Sequence, residues 1–232
     1  MRLQQYINET TLSDRARGQL KEYIANNCKP FLKEFGIRYM HDYFIFRGLK
    51  TQNIKTFTKI KTRKDRLPRI IDKDLHKYLN ELGKELFGWK IRSEGVFTGA
   101  HFTAQAYGDV SIFIPSGNYK YVYIKNTHKI YTLLDMHLYD ISCLNDIENF
   151  INKSPDKKEA RKHNQKNIDD VLSKLETIKN DIKSIYESAY KTQGLSKVLT
   201  ESAYEAIFKC DEYLVVSKDN RGVLSEIMKE LI

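Results

Sequence analysis

The spacing of apolar residues predicts helices near the start of the chain. Residues 12–35 carry apolar side chains at helical spacing, which predicts a helix that Pro30 kinks or breaks and Gly36 ends. A second helix is predicted over 72–88, where leucines form one stripe and Asp72 caps the first turn. One helix is therefore predicted before the first aromatic segment, residues 42–48, and one after it.

Short runs of aromatic and β-branched residues predict a series of strands. These runs are DYFIFRG (42–48), GVFT (95–98), VSIFIP (110–115), YKYVYI (119–124), KIYTLL (129–134), YEAIFK (204–209) and EYLVVS (212–217). The third and fourth runs are expected to form a hairpin around Ser116, Gly117 and Asn118. The segment 49–70 shows no period and predicts a long basic loop, a kind of segment that is often functional.

The composition changes after Ile151. Residues 152–167 are polar, basic and unpatterned, which predicts a linker. One face of a long helix follows at Ile168, Leu172, Leu175, Ile178, Ile182 and Ile185. That helix packs on the core or pairs with a partner helix, and core packing is the simpler expectation. A last helix is predicted over 222–232.

Together these elements predict an α+β fold in a single domain over 1–232. N-terminal helices occupy 1–40, and a linker with a helical insertion occupies 152–195. The 232 residues are 41% hydrophobic, enough for a core of this size.

The net charge of +9 favours polyanionic partners, although a lysine-rich solvated surface explains the total equally well. Three scattered cysteines, Cys28, Cys143 and Cys210, argue against a disulfide framework and a zinc site. The N-terminus lacks a signal-peptide core, and no apolar run is long enough for a bilayer. We therefore expect a soluble cytoplasmic protein with no metal and no membrane partner.

Three strand-borne residues are candidates for chemistry. Arg47 ends an aromatic strand before Gly48, and its guanidinium suits a phosphate or carboxylate. Thr98 ends a strand before a small-residue helix. Glu205 interrupts a strand pattern where a carboxylate faces solvent or a site. Taken singly, an edge arginine, a helix cap and an exposed strand glutamate are the simpler interpretations.

The order of these residues, FRG at 46–48, VFTG at 96–99 and YEAIF at 204–208, resembles the ADP-ribosyltransferase family. The block from Val96 to Tyr123 is also similar to phage and bacterial proteins with such a core. The resemblance covers roughly 43–217 and implies a split β-sheet around an NAD cleft.

The resemblance implies catalytic roles for Arg47, Thr98 and Glu205. Arg47 would hold the NAD pyrophosphate or the nicotinamide ribose, and Thr98 would support Arg47 or the ribose. Glu205 would hydrogen-bond the ribose and stabilise the positive charge that develops as nicotinamide leaves. NAD would be the substrate, and the residues expected to contact it are Arg47, Gly48, Thr98, Gly99, Phe102, Tyr107 and Tyr119.

Two departures bear on the acceptor. Family members that modify arginine carry Glu-x-Glu, and the matching first position here is Ala203. The family's Ser-Thr-Ser is reduced to 98–100, Thr-Gly-Ala. Arginine modification is therefore disfavoured, and another acceptor, including a nucleobase, becomes more plausible.

Basic residues of the loop at 49–70 are the expected nucleic-acid contacts: Lys61, Arg63, Arg66 and Arg69. This basic patch has three interpretations of equal weight, contact with the NAD pyrophosphate, with a nucleic-acid backbone, or with nothing.

The leading hypothesis is an NAD-dependent ADP-ribosyltransferase that modifies a macromolecule, with RNA or DNA slightly favoured over protein. It would be a toxin or a phage–host conflict effector, for which an antitoxin or chaperone partner is expected. The alternatives are a non-enzymatic nucleic-acid-binding protein and a phage structural component. Glu201 and Glu212 are the competing acids if the late motif is shifted.

Overall fold

The computed structural model describes residues 12–50, 56–66, 71–201 and 203–232. Its helices are α1 Asp14–Asn27, α2 Lys29–Met40, α3 Lys73–Phe87, α4 Ile91–Glu94, α5 His101–Gln105, α6 His128–Lys153, α7 Lys157–Ser188 and α8 Arg221–Leu231. Its strands are β1 Phe46–Leu49, β2 Phe57–Lys61, β3 Val96–Gly99, β4 Asp109–Ser116, β5 Lys120–Ile124, β6 Glu205–Lys209 and β7 Glu212–Ser217. The predicted α+β class is confirmed.

The strands form one antiparallel sheet in the order β2-β7-β4-β1-β3-β6-β5. Strands β1 and β3 meet at a single pair, Phe46 with Gly99. By contrast, β4 and β7 share six registered pairs and β5 and β6 share five. The sheet is therefore nearly divided at its centre, between a half that ends in β1 and a half that begins with β3.

Helices cover the sheet and form two apolar clusters. One cluster joins α1, α2 and α8 to the strand positions that include Ala206 and Phe208. The other joins α3, α6 and α7 to positions that include Val122, Ile124 and Ile207. Because successive side chains of a strand point to opposite faces, β6 contributes to both clusters.

The predicted N-terminal helix is two helices. The break falls at Cys28, and Pro30 lies in the first turn of α2, where its missing N–H costs no hydrogen bond. The expectation that Gly36 ends the helix was wrong, since α2 continues to Met40. A Cβ at Gly36 would lie 2.5 Å from Cδ1 of the exposed terminal residue Ile232, whose side chain would have to shift to admit it.

The segment predicted to be a loop over 49–70 contains strand β2. Five registered pairs join β2 to β7 at one edge of the sheet. The sequence of β2, Phe-Thr-Lys-Ile-Lys, mixes apolar and polar residues because an edge strand is only half-buried. It therefore contains no long apolar run from which a strand could be predicted. Residues 51–55 and 67–70 lie outside the described residues.

The predicted hairpin between VSIFIP and YKYVYI is wrong, although both strands exist. Strand β4 pairs with β1 and β7, whereas β5 pairs with β6 at the far edge of the sheet. Nearly all of β4 is buried, so it requires neighbours on both sides. The turn at Gly117, with φ of 66°, therefore ends a strand without returning the chain beside it.

The segment KIYTLL is not a strand but the start of helix α6. The predicted linker over 152–167 is also largely helical, because α7 begins at Lys157. Asp156 caps α7 by accepting a hydrogen bond from the Glu159 N–H at 3.0 Å. The predicted apolar face from Ile168 to Ile185 is buried except for Leu172, which is exposed.

The first predicted strand, 42–48, is shorter and later than its pattern, since β1 covers Phe46–Leu49, whereas several other predicted elements are confirmed. Helix α3 is capped by Asp72 and ends at Gly88 in the left-handed conformation. Strands β3, β6 and β7 and helix α8 form where their patterns placed them. No helix of the described part of the chain is long and apolar enough to cross a membrane.

Candidate active site

Glu205 is a buried carboxylate at the start of β6. It is 3% exposed and lies in register with Gly99 of β3 on one side and Ile124 of β5 on the other. Its Oε2 accepts a short hydrogen bond from the Tyr131 hydroxyl of α6. The Tyr131 hydroxyl lies 2.6 Å from that of Tyr107, so two phenols and the carboxyl group form a chain.

Burial is the main influence on the protonation of these three hydrogen-bonded groups, Glu205, Tyr131 and Tyr107. Burial raises the pKa of Glu205, while hydrogen bonds from Tyr131 and Tyr107 and the charge of Arg92 lower it in part. Burial and the neighbouring carboxylate raise the pKa of Tyr131 and of Tyr107. Both phenols therefore keep their protons at neutral pH, so Tyr131 donates to Glu205 and Tyr107 can donate to the Tyr131 oxygen.

Thr98 ties β3 to β6, but it is in register with Ala206, so its side chain lies on the face of the sheet opposite the Glu205 carboxyl. Its side chain is buried, and Oγ1 donates to the carbonyl of Ala206 at 2.9 Å. It does not cap α5, because the N-cap residue is Ala100, which makes no side-chain capping bond. Thr98 holds together the two strands that carry Gly99 and Glu205.

Arg47 lies at the point where β1 and β3 separate. Its Nη1 donates to the carbonyl of Phe97 at 2.8 Å, and its guanidinium lies 5.2 Å from the centre of the Tyr213 ring. Arg47 therefore bridges β1 and β3 just beyond their single registered pair.

Arg47 and Glu205 project from opposite faces of the sheet. Gly99 pairs with both Phe46 and Glu205, so these three positions share a face. Arg47 follows Phe46 and points to the other face, toward Tyr213. The structure thus brings the three candidate strands together as neighbours but does not bring the Arg47 and Glu205 side chains together.

The remaining predicted NAD contacts divide into two groups. Gly48 lies close against the turn that holds Tyr107, since a Cβ at Gly48 would be 2.8 Å from the Tyr107 Cβ. Phe102 is 79% exposed on α5. Tyr119 packs against Phe208 and donates to Glu34 at 2.8 Å, on the face opposite Glu205. Gly48, Gly99 and Tyr107 lie near Glu205, whereas Phe102 and Tyr119 have other surroundings.

Sequence reasoning missed Tyr131 and Arg92. Tyr131 was hidden because its segment was assigned to a strand, although the sequence KIYTLLDMHLYDI carries apolar residues at helical spacing. Arg92 lies on the short helix α4, six positions before Thr98, and no local pattern distinguishes it from other basic residues. Its guanidinium lies 4.8 Å from the centre of the Phe97 ring.

A cavity of about 690 Å³ opens beside Tyr131. The residues that line it are Lys125, Asn126, Thr127, His128, Tyr131, Thr132, Asp135, Glu201 and Ala203. Glu201 pairs with Lys125 at 2.6 Å on the wall of this cavity. Tyr131 therefore both lines the cavity and donates a hydrogen bond to Glu205.

The competing acids have different environments. Glu201 is partly exposed in its ion pair with Lys125. Glu212 begins β7 and accepts a hydrogen bond from the Tyr23 hydroxyl. Of these three glutamates, Glu205 alone is buried, which favours it as the functional acid.

The predicted nucleic-acid contacts lie at and after edge strand β2. Lys61 and Arg63 are exposed, and the neighbouring Lys64 pairs with Asp211 at 2.9 Å. The Arg66 backbone N–H donates to the Ser93 carbonyl at 3.4 Å. Arg69 lies outside the described residues. No cluster of three potential metal ligands occurs within the described ranges.

Comparison with known proteins finds no relative. No family model matches the chain, and no curated protein or solved structure is significantly similar to it.

Proposed function

We propose that this chain is an NAD-dependent ADP-ribosyltransferase in which Glu205 is the catalytic carboxylate. The observation that carries the proposal is the buried Glu205 carboxyl, held by two phenols beside a strand that carries Thr98. Burying a carboxyl group without a paired cation is costly, and such groups concentrate at functional sites.

The sheet order supports the proposal. The strands that carry Arg47, Thr98 and Glu205 are consecutive neighbours, β1-β3-β6, although they are far apart in sequence. The near division of the sheet between β1 and β3 agrees with the split sheet that the family resemblance implies. Arg47 lies at this division, where its guanidinium contacts the β3 backbone.

The chemistry requires a carboxylate at such a position. Cleavage of the bond between nicotinamide and ribose sends the electron pair to the nicotinamide nitrogen and leaves positive charge on the ribose. A carboxylate stabilises that charge, and its effect is larger where water is excluded. The acceptor's nucleophilic atom then bonds to the ribose carbon and loses a proton. Tyr131 and Tyr107 would orient Glu205 throughout.

The acceptor is a macromolecule, and we favour nucleic acid over protein. Ala203 replaces the first glutamate of the arginine-modifying pattern, and the exposed Lys61 and Arg63 would attract a phosphate backbone. An ADP-ribosylating toxin or conflict effector, restrained by an antitoxin or chaperone, fits these properties.

Transfer of labelled ADP-ribose tests the proposal. NAD carrying the label on its adenosine is incubated with RNA, DNA or cell-lysate protein and with wild type, Glu205→Gln or Glu226→Gln. The glutamine keeps the side-chain shape but lacks the charge, so transfer should fall about a hundredfold or more. Glu226 is an exposed residue of α8, and its variant should match wild type.

Two results would reject this assignment. Equal labelling by wild type and Glu205→Gln would remove Glu205 from the mechanism. Labelling lost only in Glu201→Gln or Glu212→Gln would transfer the catalytic role to that glutamate.

Edge strand β2 favours a second candidate function, non-enzymatic binding of nucleic acid. Lys59 and Lys61 of β2 and the following Arg63 place three cations along one edge of the sheet. This candidate predicts salt-dependent binding that survives the loss of Glu205.

A further inference from the structure

We infer that Arg92 and Phe97 form a binding site for the phosphates of a nucleotide next to Glu205. This inference deepens the proposed function and rests on it for the identity of the nucleotide as NAD. It assigns the phosphate contact to Arg92 rather than to Arg47.

The position of Arg92 follows from a fixed backbone. The Asn80 side chain of α3 is buried, and its Oδ1 accepts hydrogen bonds from the backbone N–H groups of Arg92 at 3.1 Å and Ser93 at 3.0 Å. The Asn80 amide also donates to Ser93 Oγ at 2.8 Å. Helix α4 is thereby anchored to α3, and the Arg92 side chain begins from a defined place.

Arg92 lies on the same face of the sheet as Glu205. Phe97 precedes Gly99 by two positions in β3, so Phe97, Gly99 and Glu205 share one face. The Arg92 guanidinium lies over the Phe97 ring at 4.8 Å from its centre. The charge of Arg92 also lowers the pKa of Glu205 and of Tyr107, as expected for groups that are near one another.

The guanidinium of Arg92 remains available to an anion. Its neighbour Glu94 pairs with Lys209, and none of the ion pairs formed within the described residues includes Arg92. Apart from Glu205 and Tyr107, the titratable groups around it are Tyr186 and Tyr190 of α7 and His76 of α3, which carry no negative charge at neutral pH. An arginine offers a planar fork of donors that matches phosphate oxygens.

The surroundings of Glu205 are partly open on this side. Arg92, Phe97, Tyr107 and Tyr131 are all half-buried, whereas Glu205 behind them is buried. A nucleotide could therefore place its phosphates against Arg92, whose guanidinium lies over the Phe97 ring, with its ribose toward Glu205.

Arg47 is less suited to this contact. It faces the opposite side of the sheet, and its guanidinium already donates to the Phe97 carbonyl and stacks on Tyr213. Its contacts are those of a residue that joins the two halves of the sheet.

Titration with ADP tests the inference without any chemical step. ADP binding is measured by calorimetry at low salt for wild type, Arg92→Gln, Arg92→Lys, Arg47→Gln and Arg161→Gln. Removal of one charge-assisted hydrogen bond should weaken ADP binding about tenfold or more in Arg92→Gln, with partial recovery in Arg92→Lys. Arg161, which pairs with Glu148 between α6 and α7, is the matched control and should not change affinity.

The outcomes separate this inference from the proposed function. If wild type does not bind ADP, or if Arg47→Gln weakens ADP binding more than Arg92→Gln does, the inference is overturned. If ADP binding depends on Arg92 but no nicotinamide is released from NAD, the site stands and the transferase function fails. Circular dichroism of each variant excludes unfolding as the cause of a weaker affinity.

Discussion

At the scale of single residues, the main feature is the acidic side chain of Glu205, which is buried in the protein interior. Glu205 was identifiable from sequence because a carboxyl group interrupts an apolar strand pattern. Its partners were not identifiable, because Tyr107, Tyr131 and Arg92 come from three other segments that only the fold brings together. The local sequence is thus enough to select Glu205 as a candidate residue, whereas its protonation state and its contacts depend on the tertiary structure.

The raised pKa of Glu205 predicts a pH-dependent stability. The pKa in the folded state exceeds the ordinary value of 4.5, so the folded state holds this proton to higher pH than the unfolded state does. The resulting stabilisation is complete below pH 4.5 and is lost as pH rises through the folded pKa. Each pKa unit of difference corresponds to about 1.4 kcal/mol.

Glu205→Gln removes this titration. Urea denaturation from about pH 4.5 to about pH 8 should show the variant gaining stability relative to wild type as pH rises. The exposed Glu226→Gln variant should run parallel to wild type. A Glu205→Gln difference that stays constant across this range would contradict the raised pKa.

At the scale of elements, local sequence signals predicted both ends of helix α3 correctly, but they did not predict which strands pair with one another. Helix α3, with Asp72 at its start and Gly88 at its end, was predictable from caps and period. The pairing of β4 and β5 was not, because each strand takes its neighbours from distant segments. Helix α6 was mistaken over 129–134 because a short apolar run fits either a strand or a buried helix.

Gly48→Ala tests the close approach of β1 to the turn before Tyr107. The added Cβ would lie 2.1 Å from the Ala104 carbonyl oxygen, so α5 and Tyr107 must move. We expect a loss of about 1–3 kcal/mol in the free energy of unfolding, measured by urea denaturation.

Gly18→Ala is the control for Gly48→Ala. Gly18 lies on α1 with no atom within 4 Å of the added Cβ, so the variant should gain about 0.5–1 kcal/mol. Equal stabilities for the two variants would show that the packing beside β1 is loose.

At the scale of the whole molecule, part of the basic charge lies along one edge of the sheet. Edge strand β2 and the residues after it expose Lys61 and Arg63, and Lys59 lies 4.6 Å from the centre of the Tyr23 ring. The charge total was readable from composition, but its placement on a sheet edge required the pairing of β2 with β7.

Nucleic-acid binding should respond to this edge. Reversing both charges, Lys61→Glu with Arg63→Glu, should weaken binding to duplex DNA and reduce the slope of log affinity against log salt by about 0.9 for each phosphate that is no longer neutralised. Fluorescence anisotropy at several salt concentrations measures both quantities. An equal double reversal at Lys157 and Lys158 of α7 serves as the comparison. Identical slopes for both variants would remove β2 from the interface.

The most direct test of the central claim is NAD cleavage itself. Nicotinamide release from NAD, followed by chromatography, is compared for wild type and Glu205→Gln with and without nucleic acid. We expect wild type to release nicotinamide and the variant to release it about a hundredfold or more slowly. Equal release by both proteins, or none from wild type with any acceptor, would contradict a transferase built around Glu205.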